Sequence, residues 1–268
     1  MKRVLAVVLA LTAAVVAGCG MSGQESIVDK DEIIIGVRPD LPSVGFRRPD
    51  GTYEGFDVDV ARYLAGKLRK GYTFIPVLAA DRDRVLVNER ADMVLATYTI
   101  SQDRKARVLF AGPYHTSYQD ILIRPDETIA NVRDLKGRKI CEVKGSNAAE
   151  RVVEERKVAA QVVPFEDYGQ CLAALKDKRV DAVTTNDVIL AGLAAQDGSG
   201  LRLANAQFNE QRTGVGLHKG DVPGCEAVNR AITDMYQDGT AEKLLRKWFG
   251  KSGLNLTTIA VPQFEGCS

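Results

Sequence analysis

Two threonines and an arginine stand close together after a predicted strand and could bind a carboxylate. The strand ADMVLAT runs into the segment 96–104, ATYTISQDR, which holds Thr97, Thr99 and Arg104. In α/β sheets, ligands bind beyond the carboxyl ends of strands, which makes these side chains candidates for a site. A guanidinium group grips a carboxylate through two parallel hydrogen bonds. The alternative is a surface arginine beside a helix cap, which is the better interpretation of any single arginine.

A second polar cluster opens a predicted helix. In the segment 144–150, KGSNAAE, a strand and a glycine are followed by Ser146 and Asn147. Free amides at a helix N-terminus favour an anion. An ordinary serine or asparagine N-cap explains the same residues equally well.

A third cluster ends the strand of the segment 180–187, VDAVTTND. It consists of Thr184, Thr185, Asn186 and Asp187. These side chains could receive an ammonium group, or Asn186 or Asp187 could cap the next helix. Two more basic residues belong with the candidates: Arg38 follows the first predicted strand, and Arg82 begins a short helix. Either arginine alone could be solvated surface.

The motifs of common enzymes are missing from the sequence. There is no GxSxG, no P-loop and no GxGxxG between a strand and a helix. His115 and His218 are the only histidines, which excludes a multi-histidine metal site. We therefore expect a binding protein without metal or cofactor.

Composition and charge describe a folded protein with no affinity for nucleic acid. The 268 residues are 45% hydrophobic and 26% charged, with 36 Lys+Arg against 35 Asp+Glu. This composition excludes a disordered or collagen-like chain. A near-neutral balance provides no electrostatic footprint for nucleic acid. The length allows one large domain or two modest ones.

Predicted strands and helices alternate along the chain. The apolar residues from Val60 to Leu68 recur at spacings of three and four, which predicts a helix that Asp57 could cap. Strand segments include EIIIGV, YTFIPV, KICEV and DAVTT. Such alternation predicts parallel sheets with helices on both faces. Fewer than eight βα units argue against a barrel and for two small α/β lobes.

The N-terminus has the pattern of an export signal. Lys2 and Arg3 precede an apolar segment, 4–17, that is too short to span a bilayer. Small residues directly before Cys19 resemble the lipobox of bacterial lipoproteins, in which the cysteine receives lipid; the alternative is ordinary signal cleavage. Without residues 1–18 the count is 34 positive against 35 negative charges. We expect a protein held by lipid at the extracytoplasmic face of the membrane.

Four cysteines remain besides Cys19: Cys141, Cys171, Cys225 and Cys267. An even number in an exported chain favours disulfides over free thiols. Three pairings are possible, and proximity in the chain favours Cys141 with Cys171 and Cys225 with Cys267. A zinc site is less favoured because no CxxC occurs.

Six segments resemble, in order, the motifs of family 3 extracellular solute-binding proteins, the polar amino acid receptors of ABC importers. They are GVRPD, DGTYEGFDVDVARYLAGKL, ADMVLATYTISQDRKARVLFAGPYH, DLKGRKICEVKGS, RVDAVTTNDVILAGLAA and DGTAEKLLRKWFG, within residues 31–250. Within the family, the chain is most similar to actinobacterial glutamate/aspartate-binding lipoproteins. Cysteines at the KICEV and YGQCL positions also occur there, which supports a Cys141–Cys171 bridge.

The resemblance implies a two-lobed, type II periplasmic-binding fold. Each lobe is a small, mainly parallel sheet flanked by helices, and two strands join the lobes at a hinge. The implied division is a signal peptide (1–18), a tether (19–30), lobe 1 (31–124 and 213–262), lobe 2 (125–212) and a C-terminal tail (263–268).

The resemblance also assigns residue roles. Arg104 and Thr99 correspond to the clamp on the ligand's α-carboxylate, over which Ser146 and Asn147 close. The backbone of Ala96–Thr97 and the Thr97 hydroxyl correspond to the groups that contact the ligand's α-amine. Arg38 and Arg82 correspond to basic residues that face a side-chain carboxylate of the ligand.

One residue departs from the family. Where the family has an aspartate that pairs with the α-ammonium, this chain has Asn186. A neutral partner bonds about half as strongly, so amine recognition is expected to be weaker unless Asp187 substitutes. Three arginines without a facing carboxylate would then favour a dianion.

The expected function is a monomeric receptor that passes an acidic amino acid, glutamate or aspartate, to an ABC importer permease. One alternative is a lipoprotein that reports its ligand to a membrane signalling partner. Another is a receptor for a dicarboxylate without an amine. A dehydratase, known among relatives of this fold, would need a general acid that the sequence does not identify.

Overall fold

The computed structural model describes residues 25–254, 256 and 260–268. The predicted signal peptide and the predicted lipidation site, Cys19, lie outside the described residues. The strands are β1 (Glu32–Val37), β2 (Asp40–Leu41), β3 (Gly45–Arg47), β4 (Tyr53–Glu54), β5 (Gly71–Pro76), β6 (Met93–Leu95), β7 (Leu109–Ile123), β8 (Lys139–Val143), β9 (Gln161–Phe165), β10 (Ala182–Asn186), β11 (Arg202–Leu203) and β12 (Phe208–Leu217).

The helices alternate with the strands, as the sequence predicts. They are α1 (Phe56–Leu68), α2 (Arg82–Val87), α3 (Gln102–Lys105), α4 (Ala148–Glu150), α5 (Tyr168–Lys176), α6 (Asp187–Asp197), α7 (Val222–Gln237) and α8 (Thr240–Phe249). A π-helical turn, Arg151–Glu155, continues α4.

The main sheet has two parallel halves. Its strand order is β5-β1-β6-β12-β7-β10-β8-β9. β1 is parallel to β5 and β6, and β8 is parallel to β9 and β10. We call β1, β5 and β6 with α1–α3, α7, α8 and the small sheet β2–β4 the first half. β8–β10 with α4–α6 are the second half. This arrangement confirms the predicted α/β fold.

Two long antiparallel strands, β7 and β12, join the halves. β12 pairs with β6 and with β7, and β7 pairs with β10. The sequence predicts only segments 119–125 and 213–219 as strand. The β7–β12 register shifts between Thr213 and Val215, opposite a Gly-Pro pair that sequence rules treat as a strand break. The hinge strands are therefore longer than their sequence pattern indicates.

The helix α1 confirms the predicted periodicity but not its predicted cap. Val60, Ala61, Leu64 and Ala65 are fully buried. The helix begins after Gly55, which caps it without a side chain. Asp57 instead points into the protein, where it binds groups beside the cavity described below.

The predicted tether is too long at its C-terminal end. Ile27 is 1% exposed, and its N–H donates to Asp221 at 3.1 Å. Lys30 forms an ion pair with Asp92. Residues 26–30 therefore belong to the folded first half, because Ile27 buries its side chain in the core.

Both favoured disulfides are present. Cys141 is bonded to Cys171 within the second half, and Cys225 of α7 to Cys267. The second bond fastens the C-terminal segment 260–268 to the first half. None of the helices in the described part of the chain combines the length and the hydrophobicity that a membrane span requires. Within the same residues, no cluster of three His, Cys, Asp or Glu side chains could hold a metal ion.

Candidate functional site

A small cavity lined mostly by polar side chains lies between the two halves. Its lining residues are Arg38, Ala79, Arg82, Thr97, Thr99, Arg104, Gln119, Ser146, Asn147, Ala148, Tyr168, Thr185, Asn186, Ile189 and Gln211. Of the nine predicted ligand-binding residues, all of them described, eight line this cavity and Ala96 does not. The strand ends and loops that the sequence marks as candidates thus meet at one place.

Arg82 is buried in the cavity wall and bonds only to backbone carbonyls. Its Nε donates to Ala79 at 2.9 Å, and Nη1 donates to Ala96 and Thr97 at 3.1 and 2.9 Å. Its Nη2 donates to the carbonyl of Gly145, on the second half, at 2.8 Å. Burial, and then the positive charges of the other cavity arginines, lower the pKa of Arg82 to about 9. A nearby anion would offset the free-energy cost of burying this positive charge.

Arg104 has more free donors than Arg82. It donates to the Thr99 carbonyl at 2.6 Å and to the Gly145 carbonyl at 3.2 Å. Three of its five N–H groups therefore remain for a ligand. Burial lowers its pKa. Within the described chain, neither Arg82 nor Arg104 forms an ion pair with a carboxylate.

Tyr98 positions both of these guanidinium groups. The Arg82 and Arg104 Cζ atoms lie 4.9 and 5.4 Å from the centroid of its ring, which is cation–π geometry. Its hydroxyl donates to Asp83. The ring packs on Gly216 of β12, where a Cβ would lie 2.8 Å from Tyr98. Only glycine leaves space for the ring at this position.

The structure corrects the expectation for Arg38. Its guanidinium group forms a two-point ion pair with Asp40, with Nε–Oδ1 at 2.8 Å and Nη2–Oδ2 at 2.7 Å. Only two of the three cavity arginines therefore lack a carboxylate partner. The sequence spacing could have predicted this ion pair, because side chains two residues apart in an extended segment lie on the same face.

A buried carboxylate supports the loop after β6. Asp57 accepts from the Thr97 N–H at 2.7 Å and from the Tyr114 hydroxyl at 2.7 Å. Burial raises its pKa to about 6, although these hydrogen bonds and the charges of Arg38 and Arg82 oppose the rise. Asp57 therefore places a negative charge behind the arginines.

The Ala96 carbonyl, predicted to lie near the α-amine, is already used within the protein. The Ala96 carbonyl already accepts from Arg82 and from the Thr97 hydroxyl, the latter at 2.7 Å. Thr97 does line the cavity, and its hydroxyl oxygen keeps lone pairs that could accept from a ligand.

Most of the helix amides predicted on the second half already have acceptors within the protein. The Ser146 N–H donates to the Val143 carbonyl at 2.8 Å. Its hydroxyl oxygen accepts from the Ala148 N–H at 3.1 Å, and the hydroxyl hydrogen remains to donate. Asn147 lines the cavity beside it. Ser146 and Asn147 therefore bring polar side chains to the cavity at this turn.

Asn186 lies in the cavity wall with an unused donor. The residue is 6% exposed, and its Nδ2 has no hydrogen-bond partner among the described residues. Asp187 does not replace it, because its carboxylate accepts from the Val188 N–H at 2.7 Å and from Gln207 at 2.8 Å. Burial raises the pKa of Asp187 to about 6. The neutral amide is the group at this position.

Sequence reasoning missed several lining residues. Gln119 and Gln211 come from β7 and β12, and the Thr99 hydroxyl donates to the Gln211 side chain at 3.3 Å. The Tyr168 hydroxyl donates to Thr185 at 2.7 Å. No motif identifies these residues, since they depend on where the long strands cross between the halves.

Comparison with known proteins relates this chain to amino-acid-binding proteins of bacteria. Residues 33–251 match the family model of bacterial extracellular solute-binding proteins, family 3. The glutamate-binding protein GluB of Corynebacterium glutamicum is 32% identical over 263 residues, which cover 91% of this chain and 89% of GluB. The glutamine-binding protein GlnH of Bacillus subtilis, from an ABC transporter, is 31% identical over 92% of this chain and 97% of its own.

A solved structure shows the same fold. An ancestral arginine-binding protein bound to glutamine is 30% identical, with a TM-score of 0.76 over 83% of this chain and 99% of that one. The family match includes every residue that lines the cavity. The chain therefore belongs to the family 3 bacterial extracellular solute-binding proteins, which are transport receptors and not enzymes.

Proposed function

We propose that this receptor binds an acidic amino acid, glutamate or aspartate, and delivers it to an ABC importer. The observation that carries the proposal is the pair Arg82 and Arg104, two buried cations that line the cavity and bond only to carbonyls. Burying charge without a partner is costly, and a carboxylate removes that cost. GluB, a glutamate-binding relative, supports the same ligand class.

Arg104 is the proposed clamp for the α-carboxylate. Its three remaining N–H groups and the Ser146 hydroxyl provide donors from both halves. Arg82 faces the second carboxylate with its one remaining N–H. Thr97 and Asn186 receive the amine through their side-chain oxygens, which for Asn186 requires the amide to turn.

Closure of the two halves is the proposed output. The ligand first meets the arginines of the first half, and rotation about β7 and β12 brings Gly145, Ser146 and Asn186 onto it. The closed form is favoured by the ligand's higher affinity for it. Excluding water strengthens the ionic contacts. The closed form then docks as a monomer on the permease.

Lipid at Cys19 is the proposed anchor, since a diacylglyceryl group supplies the two chains that stable anchoring needs. Substitution Cys19→Ser tests it. We expect the variant in the soluble extracytoplasmic fraction and the wild type in the membrane fraction. Equal membrane retention of both would contradict the anchor.

Titration calorimetry of the purified receptor tests the ligand class. The panel contains the twenty amino acids and dicarboxylates without an amine. We expect glutamate or aspartate to bind most tightly and Arg104→Met to abolish binding. Preference for lysine, arginine or a sugar would contradict the proposal.

A dicarboxylate without an amine is the second candidate, and Asn186 favours it. The unpaired Nδ2 is a donor, so in this orientation it suits a ligand oxygen and not an ammonium group. Tighter binding of glutarate than of glutamate in the same titration would establish this candidate.

A further inference from the structure

Arg38 lies in the cavity wall, yet its charge is balanced within the chain. The residue is 1% exposed, and the two Asp40 oxygens accept from it at 2.8 and 2.7 Å. Two parallel charge-assisted bonds are the strongest geometry for such a pair. The cavity therefore meets a neutral pair where an unpaired arginine would present a full cation.

The surrounding backbone holds this pair in place. A Cβ on Gly45 would lie 2.9 Å from the Arg38 carbonyl oxygen and 3.1 Å from the Arg38 Cβ, so β3 packs directly on it. β2, which carries Asp40, also contacts α5 and α6 of the second half. The pair thus stands where the two halves close, with its guanidinium group fixed before a ligand arrives.

The charges of the first half leave a small positive excess. Its three cavity arginines, Arg38, Arg82 and Arg104, are opposed by Asp40 and Asp57. A third carboxylate near Arg104, that of Asp83, forms its own ion pair with Arg107 and so adds no net charge. On the second half, Glu142 is not among the lining residues; its Oε2 accepts from the Ala149 N–H at 2.7 Å at the start of α4, and its Oε1 has no partner among the described residues. One excess positive charge matches an acidic amino acid, whose two carboxylates and one ammonium sum to one negative charge.

We infer that Asp40 sets the net charge of the ligand that this receptor accepts. By neutralising Arg38, it favours a ligand with one net negative charge over a dianion of the same length. This inference rests on the proposed acidic ligand and adds to it a residue that determines specificity without touching the ligand. Without the Asp40 charge, the cavity would carry a second excess positive charge and suit a diacid.

The variant Asp40→Asn tests the inference, because asparagine can still accept from Arg38 but carries no charge. Calorimetry compares glutamate with glutarate, the same diacid without the amine. We expect the ratio of glutarate to glutamate affinity to rise about tenfold in the variant. An unchanged ratio, or a fall, overturns the inference. The double variant Arg38→Met/Asp40→Asn, which removes both charges, is expected to restore the wild-type ratio.

Asp50→Asn is the matched control. Asp50 lies in the turn between β3 and β4, and its carboxylate accepts only from Thr52 at 2.9 and 2.7 Å. We expect its ratio to equal that of the wild type. Should Asp40→Asn fail to fold, the double variant still decides: a changed ratio shows that Arg38 binds the ligand directly and contradicts the inference.

The same experiment separates the two proposals. If the wild-type receptor binds glutamate but the ratio of glutarate to glutamate affinity is unchanged in Asp40→Asn, the proposed function stands and the inference fails. A wild-type receptor that prefers glutamine contradicts the proposed acidic ligand. In that case the affinities for glutamine and glutamate are compared in wild type and Asp40→Asn. The inference then requires the ratio of glutamate to glutamine affinity to rise in the variant.

Discussion

The backbone of Gly145 packs against that of Ala80 so closely that a Cβ on the glycine would lie 2.4 Å from the Ala80 Cα atom. Gly145 belongs to the second half of the fold and Ala80 to the first. The Gly145 carbonyl accepts from Arg82 and Arg104 at the same place. The glycine backbone thus lies on the two arginines where the halves meet, and the contact leaves no space for a side chain.

Substitution Gly145→Ala is expected to hinder closure. In this structure its Cβ would overlap the Ala80 backbone, so the populated fraction of the proposed closed form falls. Apparent affinity falls with that fraction, and we expect a loss of about tenfold or more for the ligand. Calorimetry measures the affinity, and small-angle scattering at saturating ligand measures the radius of gyration.

Gly137→Ala controls for backbone strain. Gly137 and Gly145 have φ of 73° and 79°, but a Cβ on Gly137 meets nothing within 4 Å. Both variants lose similar stability to the left-handed conformation. Equal ligand affinity in the two would show that the contact with Ala80 does not limit closure.

A second glycine tests the other side of the closing surface. A Cβ on Gly192, in α6, would lie 2.1 Å from the Pro42 carbonyl oxygen of the first half. We expect Gly192→Ala to weaken ligand binding about tenfold or more. Gly66→Ala in α1, where a Cβ meets nothing within 4 Å, should leave binding unchanged and raise stability by about 0.5–1 kcal/mol. Unchanged affinity for Gly192→Ala would remove this contact from the closed form.

Asn186→Asp is expected to tighten the binding of ligands that carry an ammonium group. A charge-assisted bond is about twice as strong as a neutral one, so glutamate affinity should rise by about tenfold. Glutarate, which lacks the amine, should bind more weakly because it meets a like charge. A loss for both ligands in calorimetry would place Asn186 away from the amine.

Asp57 predicts a pH dependence of stability. Its pKa rises from 3.8 to about 6 on burial, so between these values the folded state binds the proton and the unfolded state does not. Stability from this group therefore increases as pH falls from 7 to 4, by at most about 3 kcal/mol at about 1.4 kcal/mol per pH unit.

The variant Asp57→Asn isolates this effect, because its amide oxygen can accept from the Thr97 N–H and its NH2 group can donate to the Tyr114 oxygen without titrating. Urea unfolding of wild type and variant across pH 4–7 gives the difference in unfolding free energy. That difference should move in favour of the wild type as pH falls. A constant difference would mean that Asp57 titrates alike in both states.

The C-terminal segment is expected to stabilise the hinge. Glu265 forms ion pairs with Lys105 and with Arg212 of β12, each at 2.7 Å, and its N–H donates to Gly112 of β7. Cys225→Ala/Cys267→Ala opens a loop of 42 residues and should cost about 4 kcal/mol of unfolding free energy. Urea unfolding measures it. An unchanged midpoint would show that the segment holds without its disulfide.

Regular elements were largely predictable from local pattern. The amphipathic pattern near the C-terminus predicts a helix from Thr240 to Phe249, and α8 has these bounds. The long strands β7 and β12 were predicted only in part, because a Gly-Pro pair and polar residues such as Gln119 and Gln211 interrupt their apolar pattern. Pairing between the two strands overrides these local preferences.

The sequence by itself determined the alternating α/β fold, the family, and the group of candidate residues led by Arg104, because periodicity and motif order are local properties. Only the tertiary structure decided that Arg38 is neutralised by Asp40, that Asp187 points away, and that Gly145 meets the arginines. These relationships depend on where side chains turn and where distant segments cross. Contacts of that kind are set by packing of the whole chain, which no local pattern records.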